Sequence, residues 1–262
     1  MTAPQLDGAV AVVTGAGTGI GREISLRLAA EGADVVLTGR STDAMEEVAG
    51  QVRAQGRRAL AVAMDLRDPA SIETAARSAE EEFGRVDVLV NNSGVGGPSK
   101  PMWEIDAEEW EDTFRVNVTG TFLACKAFLP GMVARRSGSV VVVGSVTGKR
   151  PLVNRTPYAA SKTALIGMVR TLAWEVGTHG IRVNLVSPGG VEGERINWVL
   201  EQQAQARGIS VEEARADFAE GSPLKRLVRA ADVADTVAYL ASPRAASITG
   251  DDINVSAGLA MY

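Results

Sequence analysis

Short, valine-rich apolar runs recur along the chain and alternate with longer stretches in which apolar residues return every three or four positions. An apolar run without polar alternation fits a strand covered on both faces, and the longer periodic stretches fit the helices that cover it. Strands are predicted at Ala9–Val13, Val35–Thr38, Ala59–Ala63, Val86–Asn91, Ser139–Gly144, Arg182–Ser187 and Asp252–Val255. Helices are predicted at Gly19–Glu31, Thr42–Gln55, Pro69–Phe83, Ala107–Arg135, Pro157–Thr178 and Ala230–Ser242. Many follow a Ser, Thr or Asp that can cap free backbone donors. The alternation predicts an α/β fold, a doubly wound parallel sheet of seven strands with helices on both faces. Glu192–Val228 breaks the rhythm: Trp198, Leu200, Ile209, Val211 and Phe218 lie among many charges there, which predicts a helical lid at about 192–228. No linker or repeat divides the chain, so residues 1–262 are expected to form one domain.

Composition narrows the class. Hydrophobic residues at 45% and charged residues at 23% are ordinary for a globular chain and exclude disorder, collagen and coiled coil. Aromatics at 5% leave the core to Ala, Val, Leu and Ile. A net charge of −5 opposes the basic footprint that nucleic acid selects, so no such partner is expected. One cysteine, Cys125, and one histidine, His179, are too few for a disulfide or a zinc site, so no metal is expected and the cytoplasm is. No uninterrupted apolar run approaches the roughly 18 residues of a membrane span, and no basic residue precedes Arg22, so neither anchor nor signal peptide is expected.

After the first predicted strand stands Thr14-Gly15-Ala16-Gly17-Thr18-Gly19-Ile20-Gly21, followed directly by a helix. A strand, a glycine turn and a helix N-terminus set unpaired N–H groups and the positive end of the helix dipole against a pyrophosphate. The spacing is Gly-x-x-x-Gly-x-Gly, not that of a phosphate-binding Walker loop. Gly144–Lys149 mimics such a loop, but only three residues separate its glycines and Arg150 follows the lysine.

Tyr158 and Lys162, four positions apart at the start of a predicted helix, share one face. Ser145 follows a strand, at the carboxyl edge where open α/β sheets bind ligands. Asn117 stands in an otherwise apolar helix, where a buried amide needs partners. Taken singly, each is more simply a solvated face, a cap or a backbone-bonded amide.

Together with the glycine loop they form a pattern. The chain resembles the short-chain dehydrogenase/reductase family, in its shorter branch, over essentially its whole length. Thr14–Gly21, Asn91-Asn92-Ser93-Gly94, Asn117, Ser145, Tyr158-Ala159-Ala160-Ser161-Lys162 and Pro188-Gly189 carry the resemblance in the correct order. Ser93 departs from a usual alanine, and Gly193 stands where a threonine often helps hold the nicotinamide end. The resemblance implies a Rossmann-like fold and hydride transfer between a nicotinamide and a carbonyl or carbinol carbon. Tyr158 would be the acid or base, its pKa lowered by Lys162. Ser145 would donate to the substrate oxygen, and Asn117 would hold a water behind Lys162. Cofactor binding is implied for Gly15, Thr18, Gly19, Ile20, Gly21, Asp65, Leu66, Asn92, Tyr158, Lys162, Pro188 and Gly189. It also implies a homo-oligomer, a tetramer, paired through Ala107–Arg135 and Pro157–Thr178.

The end of the second strand bears on the cofactor. An NAD site generally places an acid about 20 residues after the first loop glycine. Gly39 stands there and Arg40 follows, so a preference for NADP is expected, with NAD still usable; Ser41 or Arg22 would add weaker contacts. Arg150, Arg155 and Arg195 read first as surface arginines on loops and second as neutralisers of an anionic substrate. His179 reads as a helix-end residue and Cys125 as core filling. Trp103, Trp110, Trp174 and Trp198 read chiefly as core or interface aromatics, Trp198 also as a candidate for the pocket wall. Two alternatives stay open. A dinucleotide-binding redox sensor or assembly module without turnover would be favoured by loss of Tyr158, Lys162 or Ser145. An epimerase or dehydratase of the longer branch would need a larger C-terminal region than residues 243–262.

Overall fold

A computed structural model describes residues 4–262. Seven parallel strands form one sheet: β1 (Val10–Thr14), β2 (Asp34–Gly39), β3 (Ala59–Ala63), β4 (Val88–Asn91), β5 (Gly138–Val143), β6 (Ile181–Pro188) and β7 (Asp252–Val255), in the order β3-β2-β1-β4-β5-β6-β7. The chain winds outward from β1 to β3, then returns to lay β4 on the other side of β1. That reversal opens a crevice at the carboxyl ends of the strands.

Period-two alternation divides the strand side chains between two cores. On one face Ala11, Val13, Val35, Leu37 and Val141 pack with Ile24 and Leu28 of α1 (Gly19–Ala30), Val48 of α2 (Thr42–Ala54) and Val237 of α9 (Ala230–Ala241). On the other, Val12, Val36, Leu89, Val140 and Val183 meet Ala79 of α3 (Pro69–Phe83), Phe128 and Met132 of α5 (Gly120–Arg135), and Leu165 and Val169 of α6 (Thr156–Gly177). The predicted strands and helices recur with ends displaced by at most two residues, with one internal difference. The helix expected at Ala107–Arg135 is α4 (Ala107–Phe114), a wide π turn at Arg115–Thr119, and α5. Val116, Asn117, Val118 and Thr119 are weak helix formers, which lowers the cost of the extra residue. This helix is long and apolar enough by length and composition to cross a membrane, but its buried side packs on α3 and β4.

The segment that broke the rhythm forms α7 (Glu194–Arg207) and α8 (Val211–Glu220), which share a small core of Ile196, Leu200, Ala204, Ala214 and Leu227. Its two ends are stitched together: Glu192 N–H donates to Val228 O at 2.9 Å and Val228 N–H to Gly190 O at 2.9 Å. Gly193, at φ +136°, begins α7 in a conformation that an L side chain rarely adopts, a physical reason for threonine's absence there.

Candidate active site

β1 turns into the glycine loop at Gly15, whose φ of +66° an L residue would strain. Gly21 lies so close beneath that a Cβ on it would stand 2.0 Å from the Gly15 carbonyl oxygen. Thr18, the extended residue before α1, offers no side-chain cap, so the first-turn N–H groups of α1 are left for a ligand. Thr14 and Asn92 hold the loop in place: Thr14 Oγ1 accepts from Asn92 N–H at 3.0 Å and Ser93 N–H at 2.9 Å, while Asn92 Nδ2 donates to Thr14 O at 2.9 Å. Sequence reasoning placed Thr14 in the motif but gave it no task; a hydroxyl ending an otherwise apolar strand was the available signal.

From this loop a cavity of about 760 Å³ runs along the carboxyl ends of the strands to α7 and α8. Gly15, Thr18, Gly19, Ile20, Gly21, Arg40, Asp65, Leu66, Asn92, Ser145, Tyr158, Lys162, Pro188 and Gly189 all line it. Asn117 does not; it is fully buried behind the wall. Its Nδ2 donates to Val95 O at 3.0 Å and Ser161 Oγ at 3.0 Å, and its Oδ1 accepts from Val95 N–H at 2.8 Å. A Cβ on Gly94 would stand 3.0 Å from Asn117 Oδ1 and 3.5 Å from Lys162 Nζ, so both polar atoms pack closely about this glycine.

Lys162 is buried and donates from Nζ to Val143 O at 2.9 Å, with Nζ 5.8 Å from the centre of the Tyr158 ring. Burial pushes the Tyr158 phenol up. The Lys162 ammonium, Arg195, the Ser145 hydroxyl and Arg155 together outweigh it and bring the phenol below its ordinary value of 10.0. Burial likewise lowers the Lys162 ammonium, against the attraction of Tyr158 and with the help of Arg195. The group at the end of the cavity is thus a phenol disposed to lose its proton, next to a hydroxyl donor.

The sequence profile of the short chain dehydrogenase family matches residues 9–229. The chain belongs to that family. It is 36% identical over 258 residues to the 2,3-dihydro-2,3-dihydroxybenzoate dehydrogenase of Bacillus subtilis (strain 168), covering 98% of each chain. It is 37% identical over 255 residues to the 3-oxoacyl-[acyl-carrier-protein] reductase of Escherichia coli (strain K12), covering 97% of this chain and 98% of the other. Among solved structures, a single-substitution variant of actinorhodin polyketide ketoreductase with NADPH superposes with a TM-score of 0.93 at 37% identity, covering 100% of both chains.

In this short-chain dehydrogenase the cradle around α1 fits a dinucleotide: backbone donors at a helix N-terminus, glycines where a Cβ would intrude, and a cavity long enough to continue to Tyr158. Several sequence-based expectations are corrected. Arg22, expected to add a weaker contact to the cofactor, turns to Glu23 and to Gln51, at 2.8 Å, and does not line the cavity. Trp103 and Trp174 are largely exposed, so of their two expected settings, core and interface, the core is ruled out. Trp198 does not line the cavity, and its ring lies 5.1 Å from the Arg155 guanidinium carbon; Ile196, Val199 and Phe218 form that wall. Leu259, unforeseen, lines it from the C-terminal segment. Lys149 of the mimic loop turns its Nζ to a buried ion pair with Asp252 at 2.7 Å. Arg150 is exposed as expected, whereas Arg155 is buried.

Proposed function

We propose that this short-chain dehydrogenase interconverts a secondary alcohol and a ketone with NADP as preferred cofactor and NAD as a usable one. The observation that carries this reading is Tyr158, flanked by Lys162 and Ser145, at one end of a cavity whose other end is the glycine loop. When bound, the nicotinamide supplies or accepts a hydride at its C4. Tyr158 gives a proton to the substrate oxygen during reduction and removes it during oxidation. The Ser145 hydroxyl donates to the same oxygen and stabilises the charge that develops there. Lys162 holds the phenol's pKa down and is placed to bind the nicotinamide ribose. Asn117, buried close to Lys162, holds a water through which Lys162 exchanges protons with solvent. The whole chain acts as one oxidoreductase domain, with α7 and α8 as its lid. The non-catalytic sensor loses support because all three reactive side chains are present and gathered together.

The NADP preference rests on Arg40. It is exposed at the end of β2, on the cavity lining, with Gly39 rather than an acid before it. A second cation, Arg67, also lines the cavity, but Asp112 holds it through two bonds of 2.7 and 2.8 Å. Arg40 is therefore the cation left for a 2′-phosphate. A panel of alcohols and ketones assayed by the absorbance of reduced nicotinamide with each cofactor tests both parts of the reading. Wild type should show the higher kcat/KM with NADP, and Arg40→Ala should lower that preference by 10-fold or more. A wild type that favours NAD, or a preference unmoved by the substitution, would count against Arg40.

The enzyme is proposed to be a homotetramer in the cytoplasm, with neither nucleic acid nor membrane as partner. Support comes from the outer faces of α5 and α6, where Phe122, Leu129, Met168 and Leu172 form a shallow apolar surface. Most soluble homo-oligomers close such exposed apolar faces against one another by symmetry. Sedimentation at micromolar concentration should give the mass of a tetramer; the mass of one chain would contradict it.

A further inference from the structure

Arg155 precedes α6 as its N-cap residue, lines the cavity beside Tyr158, and is 4% exposed. Its Nη2 donates to Gly96 O at 2.7 Å, while the buried Nε and Nη1 have no acceptor among the described residues. The charged groups acting on it are Tyr158 and Arg195, and the second repels it. A buried guanidinium with two unused donors and no carboxylate is costly in the free protein, and a ligand that supplies acceptors removes that cost.

The surroundings are built around this side chain. Its guanidinium carbon lies 5.2 Å from the centre of the Tyr158 ring and 5.1 Å from that of Trp198, so two aromatic rings pack about it. A Cβ on Gly96 would stand 2.9 Å from Nη2, so glycine makes the room it occupies. Arg195, on α7, reaches back to donate from Nη2 to Gly94 O at 2.7 Å, bringing a second positive charge to the same end of the cavity. Glu192 and Glu194 also line the cavity, but both are exposed and neither acts on Arg155. The cofactor's phosphates belong at the N-terminus of α1, the opposite end. Arg182, another arginine with a buried nitrogen that has no hydrogen-bond acceptor among the described residues, lies off the cavity, and Arg57 Nε pairs with Asp34 at 3.3 Å.

We infer that Arg155, assisted by Arg195, is a specificity-determining subsite for a compact oxyanion, a carboxylate or sulfonate, carried by the substrate a few bonds from its reacting carbon. The inference rests on the hydride-transfer reading and adds the substrate class. A planar guanidinium can take two oxygens of such a group at once, and that grip holds the reacting oxygen toward Tyr158 and Ser145.

The test uses three keto acids and their neutral amides: pyruvate, acetoacetate and levulinate against pyruvamide, acetoacetamide and levulinamide, with 2-oxopropanesulfonate to separate sulfonate from carboxylate. Wild type should reduce at least one acid with kcat/KM on the order of 10²-fold above its amide, chiefly through KM. The ratio should collapse to within a few fold in Arg155→Met, recover in part in Arg155→Lys, and fall in Arg195→Met, where an exposed position spares the fold. Calorimetric titration of the cofactor-free protein supplies a readout without turnover, and the preferred anion should bind while its amide does not. Anions favoured in neither measurement, or a ratio unchanged in both Met variants, would overturn the inference. Anion binding lost in the Met variants, with no turnover of any ketone, would uphold the subsite and defeat the hydride-transfer reading instead.

Discussion

Tyr158→Phe should lower kcat by at least 10²-fold while leaving the dissociation constant for reduced NADP within a few fold of wild type. The substitution removes one oxygen and keeps the ring, which packs against the Arg155 and Lys162 cations. What disappears is the proposed proton donor, while the neighbouring Ser145 hydroxyl stays on the cavity wall. Cofactor fluorescence measures the dissociation constant, and steady-state kinetics measures kcat. A purified variant that keeps more than a tenth of wild-type kcat would remove Tyr158 from the chemistry. The pH profile gives an independent reading. Oxidation needs the phenolate, so kcat/KM in that direction should rise with pH to a plateau whose midpoint lies below the ordinary phenol value of 10.0. Reduction needs the phenol and should fall over the same interval. Lys162→Ala removes the strongest attraction on the phenolate, so the limb should move to higher pH.

Lys149→Met should destabilise the protein by about 3–5 kcal/mol, because it leaves the Asp252 carboxylate buried without its cation. The pair joins the loop after β5 to β7, its side chains are 8% and 6% exposed, and Lys149 Nζ also donates to Asn254 Oδ1 at 2.6 Å. For a chain of this size the melting midpoint should fall on the order of 10 °C. The double variant Lys149→Met with Asp252→Leu should recover most of that loss, since removing both charges removes the desolvation cost with them. A single variant within about 0.5 kcal/mol of wild type would show that water reaches the pair.

Much of this was legible in the sequence because it is local. Val-rich runs buried on both faces and helices with apolar stripes declare themselves through spacing, and a glycine loop between a strand and a helix declares its use. The start of a helix and the end of a strand fix where Tyr158, Lys162 and Ser145 project, but each alone read as a cap or a solvated face, and the family pattern gave them their roles. The partners of Lys149 and Arg155 were not legible. One cation finds Asp252 more than a hundred residues away and the other finds no acid at all, yet both stand in the same loop region, where Lys149 read only as part of a mimic loop and Arg155 as a surface charge. Leu259 was missed for the same reason, since the fold alone decides where the last residues return. Gly193, by contrast, read as the absence of a threonine, and its φ of +136° gives that absence a cause in the backbone.

The π turn at Arg115–Thr119 makes this stretch sensitive to chain length more than to composition. It takes up one residue beyond α-helical need, and Thr121 Oγ1 donates to Asn117 O at 2.8 Å within it. Deleting one residue there would let the turn revert to an unbroken α-helix, and one half would have to rotate by about 100° against the other. If α5 kept its seat on the sheet, Trp110 and Phe114 would swing away with α4, and Asn117 would lose its alignment with Val95 and Ser161. The extra residue works as a phase shift, letting one continuous rod face two unrelated surfaces. Variation by substitution is open to this helix, and variation by single-residue deletion is closed to it.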